Sequence, residues 1–110
     1  MIKIKVSTIK NRIIGIEADG HANYADIGEE DIVCSAVSSV IQTAMLGLMQ
    51  IAGIKLQYSR DDKKGYLNFS LPQKITDIQE HDAQIILNTM LCGIKDLNEG
   101  FSDFIELEVL

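Results

Sequence analysis

Hydrophobic and polar residues alternate in five short stretches of the chain, and alternation of this kind is typical of half-buried β-strands. The five stretches are residues 2–6, 14–18, 56–58, 67–71 and 105–109. Polar turns at 10–12 and 60–65 join the first four stretches into two predicted β-hairpins. The stretch at 105–109 predicts a final strand.

Two longer segments repeat their apolar residues every three or four positions, the period of an amphipathic helix. The first covers residues 32–52, has an outer face poor in charge, and meets a stop signal at Gly53. The second begins with a capping-box sequence at 76–79 and ends at Gly100. The resulting ββαββαβ order predicts an α+β sandwich, a single domain over residues 1–110. Its antiparallel or mixed sheet would carry both helices on one face.

The chain is acidic, which narrows the classes of partner. It has 110 residues, with 16 Asp and Glu against 10 Lys and Arg, and its formal net charge is -6. Binding to nucleic acid needs clustered Lys and Arg, so we expect no direct nucleic-acid contact. A basic protein or peptide suits this charge better.

Two cysteines are too few for a disulfide framework. Residues 1–10 alternate Ile and Lys instead of forming the apolar core of a signal peptide. Ser38, Ser39, Gln42 and Gln50 interrupt the longest apolar helix, so the sequence predicts no membrane span. We therefore expect a cytoplasmic protein whose thiols stay reduced.

The segment between the second strand and the first helix contains both a histidine and a cysteine. A helix that begins at Asp31 would make this residue the N-cap and would place Cys34 in the first turn, where backbone N–H groups favour a thiolate. His21, across the loop, could act as general base. From the pattern alone, the alternative is that Cys34 packs in the core and His21 ends a strand.

At these residues the chain resembles the ribosomal-processing cysteine proteases, the Prp or YsxB-like family. The resemblance rests on Gly20-His21-Ala22, a short acidic loop, and then Asp31-Ile32-Val33-Cys34-Ser35-Ala36-Val37-Ser38, and it extends over the whole chain. Two features depart from the family pattern: the loop is one residue longer, and Ser35 follows the cysteine where alanine is common.

The resemblance implies an endopeptidase that removes the N-terminal extension of large-subunit ribosomal protein twenty-seven during ribosome maturation. It implies that Cys34 is the nucleophile and His21 its general base and acid, that the protein is a homodimer, and that the loop at 22–30 binds substrate. Supporting roles are expected for Asp31, Ser35 and Ser38. In the loop, the residues expected at the substrate are Ala22, Asp26, Gly28, Glu29 and Glu30.

Other sites are less favoured by the sequence. Cys92 lies in the apolar pattern of the second helix, which indicates core or dimer-interface packing. His81 lacks a second nitrogen or sulfur ligand nearby, so we expect no metal and no cofactor. The absence of a C-x-x-C pair disfavours a thiol redox protein. The main alternative to the protease is a non-catalytic, dimeric, ribosome-associated interaction or assembly module.

Overall fold

The structure is a computed structural model that describes residues 1–20 and 28–110, the first four of the second range by their backbone only. Its elements follow the predicted ββαββαβ order. They are β1 (Ile2–Ile9), β2 (Arg12–Asp19), α1 (Gly28–Leu46) continued by a π-helical turn (Gly47–Ile51), β3 (Gln57–Asp61), β4 (Tyr66–Ser70), α2 (Asp77–Gly100) and β5 (Ile105–Val109).

The five strands form one mixed sheet in the order β3-β4-β2-β1-β5. Neighbouring strands are antiparallel except β1 and β5, which are parallel. The predicted α+β architecture with two helices is therefore confirmed. Apolar side chains of the sheet and of both helices form one core, and its largest fully buried members are Phe69, Ile4, Ile41, Leu48, Leu87 and Ile94.

A β-bulge in the first hairpin changes which residues of β2 enter the core. Ser7 pairs with Gly15 and Thr8 pairs with Ile13, so Ile14 is the extra residue. A bulge of this kind reverses the inward and outward alternation locally. Ile13 is accordingly buried, whereas Ile14, which the simple alternation assigned to the inner face, is half-buried.

Helix α1 begins three residues earlier than the sequence predicted. It starts at Gly28, so Asp31 is the fourth residue of the helix and the prediction that it is the N-cap is wrong. The first turn contains Glu29, Glu30 and Asp31, and acidic residues are favourable at the positive end of a helix dipole. As a result, residues 28–30 of the predicted substrate loop belong to the helix.

The sequence predicts no membrane span, but one segment passes the test of length and composition. Residues Ile32–Ile51 are long and apolar enough to span a bilayer, with a mean hydropathy of 1.8. However, Val33, Val37, Ile41 and Leu48 of this segment are buried in the domain core. Core helices often have the same composition, and one face of this segment packs in the core.

Helix α2 begins as predicted, with a complete capping box. The Thr76 hydroxyl accepts a hydrogen bond from the Gln79 N–H at 3.1 Å, and the Gln79 side chain accepts one from the Thr76 N–H at 3.0 Å. A bidentate pair then joins α2 to the first hairpin, with Arg12 Nε and Nη2 lying 2.6 and 2.5 Å from the Glu80 carboxylate. These contacts fix the second helix against the turn of β1 and β2.

Candidate active site

The thiol-bearing side chain of Cys34 is half-buried on α1 and lines a cleft at one end of the sheet. The cleft has a volume of about 160 Å³. Ala18 and Gly20, from the end of β2, and Tyr66, the first residue of β4, also line the cleft. The cleft therefore lies where β2 ends and β4 begins. Its apolar wall is Ile2, Ala18, Val37, Ile41 and Leu67, and its polar residues are Ser38, Gln42, Arg60, Asp62 and Tyr66.

Gly20 directs the end of β2 into this cleft. Its φ is +130°, and a Cβ at this position would lie 2.3 Å from the Met1 carbonyl oxygen, so a larger residue does not fit. Its N–H donates a hydrogen bond to the Gly65 carbonyl oxygen at 3.2 Å. The structure therefore brings the residue before His21 into the same cleft as Cys34.

Of the other predicted site residues, some line the cleft, one lies outside it, and several are not among the described residues. Ser38, one helical turn after Cys34, lines the cleft, whereas Ser35 is exposed and is not part of its wall. His21, Ala22 and Asp26 lie outside the described residues, as do the side chains of Glu29, Glu30 and Asp31. Gly28 is the first residue of α1.

The early helix start changes the electrostatic argument for Cys34. The backbone N–H groups without a partner inside a helix belong to its first four residues, here 28–31. Cys34 is the seventh residue, so its N–H and that of Ser35 lie within the helical hydrogen-bonding pattern. The prediction that Cys34 occupies the first turn is therefore wrong.

An ion pair that the sequence pattern does not predict lies on the rim of the cleft. Arg60 Nε lies 2.7 Å from Asp62 Oδ1, and Nη2 lies 3.4 Å from Oδ2. The hydrogen bond and charge of Arg60 lower the pKa of Asp62, and Asp62 in turn raises the pKa of Arg60. The only sequence signal was a charged hairpin turn, which is usually a solvated feature.

Two further predictions concern residues on α2. Cys92 is exposed, so its predicted place in the core is wrong, and the dimer interface remains the open part of that prediction. His81 is exposed beside Asp82, with Nδ1 at 3.3 Å from Oδ1. Within residues 1–20 and 32–110, no cluster of three His, Cys, Asp or Glu side chains could hold a metal ion.

A half-buried cysteine that lines a cleft with polar side chains is an arrangement compatible with a thiol enzyme, and the comparisons define the class as a cysteine protease. The family model for cysteine protease Prp matches residues 1–106, and the chain belongs to this family. The predicted resemblance is thus confirmed, and with it the assignment as an enzyme.

Curated relatives named ribosomal processing cysteine protease Prp agree with this assignment. The Bacillus subtilis protein is 26% identical over 91 residues, which cover 83% of this chain and 80% of the relative. The Staphylococcus aureus protein is 26% identical over 98 residues, which cover 89% of this chain and 88% of the relative.

Solved structures share the fold over the whole chain. A Streptococcus mutans protein superposes with a TM-score of 0.87 and 27% identity, covering 100% of this chain and 94% of that one. The essential ribosomal processing protease Prp of S. aureus, crystallised in complex with a substrate peptide, gives a TM-score of 0.84 with 23% identity and full coverage of both chains.

Proposed function

We propose that this protein is the endopeptidase that removes the N-terminal extension of large-subunit ribosomal protein twenty-seven, with Cys34 as nucleophile and His21 as general base. The names of the relatives, ribosomal processing cysteine protease, support a ribosomal protein as the substrate. The observation that carries the dyad is that Cys34 and Gly20 line one cleft. Gly20 directly precedes His21 in the sequence.

The reaction begins when His21 takes the proton of the Cys34 thiol and the thiolate attacks the scissile carbonyl carbon. The C–N bond then breaks, His21 returns the proton to the leaving amine, and an acyl-enzyme thioester remains. Water, deprotonated by His21, hydrolyses the thioester and releases the second product. The reaction takes place in the cytoplasm, where the thiol stays reduced.

Negative charge develops on the carbonyl oxygen during attack and requires hydrogen-bond donors. The N–H groups of Cys34 and Ser35 are poor candidates because both residues lie inside α1. Ser38 and Gln42 line the cleft on the same helix as Cys34, and their side chains can donate. We assign the oxyanion to the Ser38 hydroxyl, because Gln42 lies eight residues, or about 12 Å along α1, from Cys34. We assign Asp31 to the orientation of His21.

Charge favours a basic substrate. The chain has a net charge of -6, and four acidic residues, Asp26, Glu29, Glu30 and Asp31, lie in the sequence between His21 and Cys34. A cationic peptide tail is attracted to such a region, and the attraction weakens as salt screens it. We expect kcat/KM to fall several-fold between low and high salt, and an unchanged value would contradict this attraction.

The homodimer is assigned to the helical face of the domain. An apolar groove of about 500 Å³ lies between α1 and α2, lined by Val40, Gly47, Ile86 and Gly93, with Ile85 55% exposed beside it. An exposed apolar groove of this size is typical of a protein interface. Ile85→Asp should convert the dimer into a monomer in light scattering, while Ile78→Asp, an exposed position outside the groove, should not.

The decisive experiment incubates the precursor of the ribosomal protein with wild-type enzyme and with Cys34→Ala and His21→Ala. Mass spectrometry should show a shortened product only with wild type and with the control variant Cys92→Ala, whose thiol is exposed on α2. Intact precursor after incubation with folded wild-type protein would overturn the proposal.

A non-catalytic interaction module makes the opposite prediction for the thiol. Iodoacetamide should modify Cys34 of the enzyme faster than the more exposed Cys92, because only an activated thiol reacts out of proportion to its exposure. Faster modification of Cys92 would favour the module.

A further inference from the structure

The cleft that contains Cys34 continues along α1 into a second, distal pocket. The distal pocket has a volume of about 190 Å³ and is lined by Met45, Leu46, Met49 and Tyr58. The two cavities share Gln42, Arg60 and Leu67 as lining residues, so they are adjacent parts of one groove. This groove runs between α1 and the β3–β4 hairpin.

The distal pocket has large apolar side chains that are exposed to solvent. Leu46 is 50% exposed and Tyr58 is 58% exposed, and both border the half-buried thioether side chain of Met49. Leu46 lies in the last turn of α1, and Tyr58 lies on the edge strand β3. A concave site of aliphatic, thioether and aromatic groups suits an apolar side chain of a ligand.

We propose that this distal pocket is a specificity subsite that binds a bulky apolar side chain of the substrate peptide about five residues from the scissile bond. The inference rests on the proposed function, because the occupant is the peptide whose carbonyl reaches Cys34. The shared lining residues support this occupant, since a peptide extended from the thiol along α1 and past Arg60 reaches the distal pocket.

The rise per residue of α1 gives the distance between Cys34 and the distal pocket. Met45 follows Cys34 by 11 residues, which corresponds to about 17 Å along α1. An extended peptide advances about 3.3 Å per residue, so about five residues cover this distance. Arg60 lines both pockets, and its ion pair with Asp62 adds charged groups to the wall of the cleft that contains Cys34.

The first test is a scan of a cleavable peptide. Each position three to seven residues from the scissile bond, on either side, is changed to glycine, and kcat/KM is measured for each peptide. We expect one sensitive position at four to six residues, where loss of an apolar side chain lowers kcat/KM about tenfold or more. Uniform kcat/KM across these positions would overturn the subsite.

Variants then locate the sensitive position on the enzyme. Tyr58→Ala and Leu46→Ala should lower kcat/KM for the parent peptide but have little effect on the peptide that already carries glycine at the sensitive position. Ile78→Ala removes an apolar side chain from α2 that is more exposed, at 75%, than Leu46 or Tyr58, and it serves as the control. Equal losses for both peptides would contradict contact at the distal pocket.

A binding experiment separates this inference from the proposed chemistry. The Cys34→Ala protein, labelled with ¹³C in its methionine methyl groups, is titrated with the parent peptide and observed by NMR. Met45 and Met49 should shift, while Met90, which borders the groove between α1 and α2, should not. A shift at Met90 alone, or no shift, overturns the subsite, whereas failure of cleavage with shifts at Met45 and Met49 overturns only the chemistry.

Discussion

Replacing Gly20 with alanine tests whether the cleft depends on a backbone conformation that only glycine adopts. A side chain at φ +130° is strained, at a cost of about 1–3 kcal/mol. The added Cβ would also lie 2.3 Å from the Met1 carbonyl oxygen and 3.2 Å from the Ile2 Cα, and these are backbone atoms that cannot simply rotate away. We expect the free energy of unfolding to fall by about 3 kcal/mol, or about 12 °C in Tm.

Two other glycines separate the strain from the steric conflict. Gly53 also has a positive φ, +68°, but the nearest atom to its added Cβ is Gln79 Nε2 at 4.0 Å, so Gly53→Ala should cost about 1 kcal/mol. Gly100 has neither feature, since nothing lies within 4 Å of an added Cβ. Gly100→Ala should be neutral or slightly stabilising, because alanine favours helix.

Urea denaturation followed by circular dichroism measures all three variants, and cleavage is assayed at a temperature where each is folded. We expect Gly20→Ala to lose activity beyond its loss of stability, because the end of β2, which directly precedes His21 in the sequence, must move away from Met1. If Gly20→Ala and Gly53→Ala lose the same free energy, the contact with β1 imposes no constraint and the reasoning is refuted.

Three further predictions concern the contacts that hold the domain together. Arg12 lowers the pKa of Glu80, so the pair stabilises the protein above the unfolded pKa and this contribution disappears as pH falls through the folded pKa. Glu80→Gln should therefore cost up to about 1 kcal/mol in urea denaturation at pH 7 and progressively less as the pH falls through the lowered pKa of Glu80, and a pH-independent loss would contradict this. Thr76→Ala should cost about 1 kcal/mol by removing the cap of α2, whereas Thr76→Ser should restore most of it in the same assay. Phe69→Ala should cost about 3–5 kcal/mol in thermal denaturation, because its fully buried ring would leave a cavity, and a loss below 1 kcal/mol would show that the core collapses around it.

The sequence predicts those parts of the fold that depend on local periodicity and on turn residues. The strands, the capping box at Thr76 and the stop at Gly53 follow from neighbours within a few positions. The bulge that makes Ile14 the extra residue depends on pairing between two strands, and simple alternation within one strand does not reveal it. The start of α1 was misplaced because the acidic residues before Cys34 suit a loop and a helix N-terminus equally.

For the site too, the sequence indicates the residues that stand in a local pattern and not those that only the packing of the fold brings to the cleft. Cys34, Ser38 and Gly20 stand out in the sequence, and the structure brings them to one cleft. Arg60 and Asp62 reach this cleft from the second hairpin, about 25 residues further along the chain, so nothing in the local pattern connects them to the thiol. The helical position of Cys92 predicts core or dimer-interface packing, but its exposure depends on which elements pack against that face of α2.

The parallel pairing of β1 with β5 has a consequence for the order in which the chain folds during synthesis. Ile2 pairs with Ile105, and the Leu110 N–H donates to the Val6 carbonyl oxygen at 2.8 Å, so one edge of a central strand is covered by residues made about a hundred positions later. Contacts of such long sequence separation slow folding. During translation the edge of β1 that pairs with β5 stays unpaired until residues 105–110 have emerged from the ribosome. The sheet is completed only after these residues have emerged.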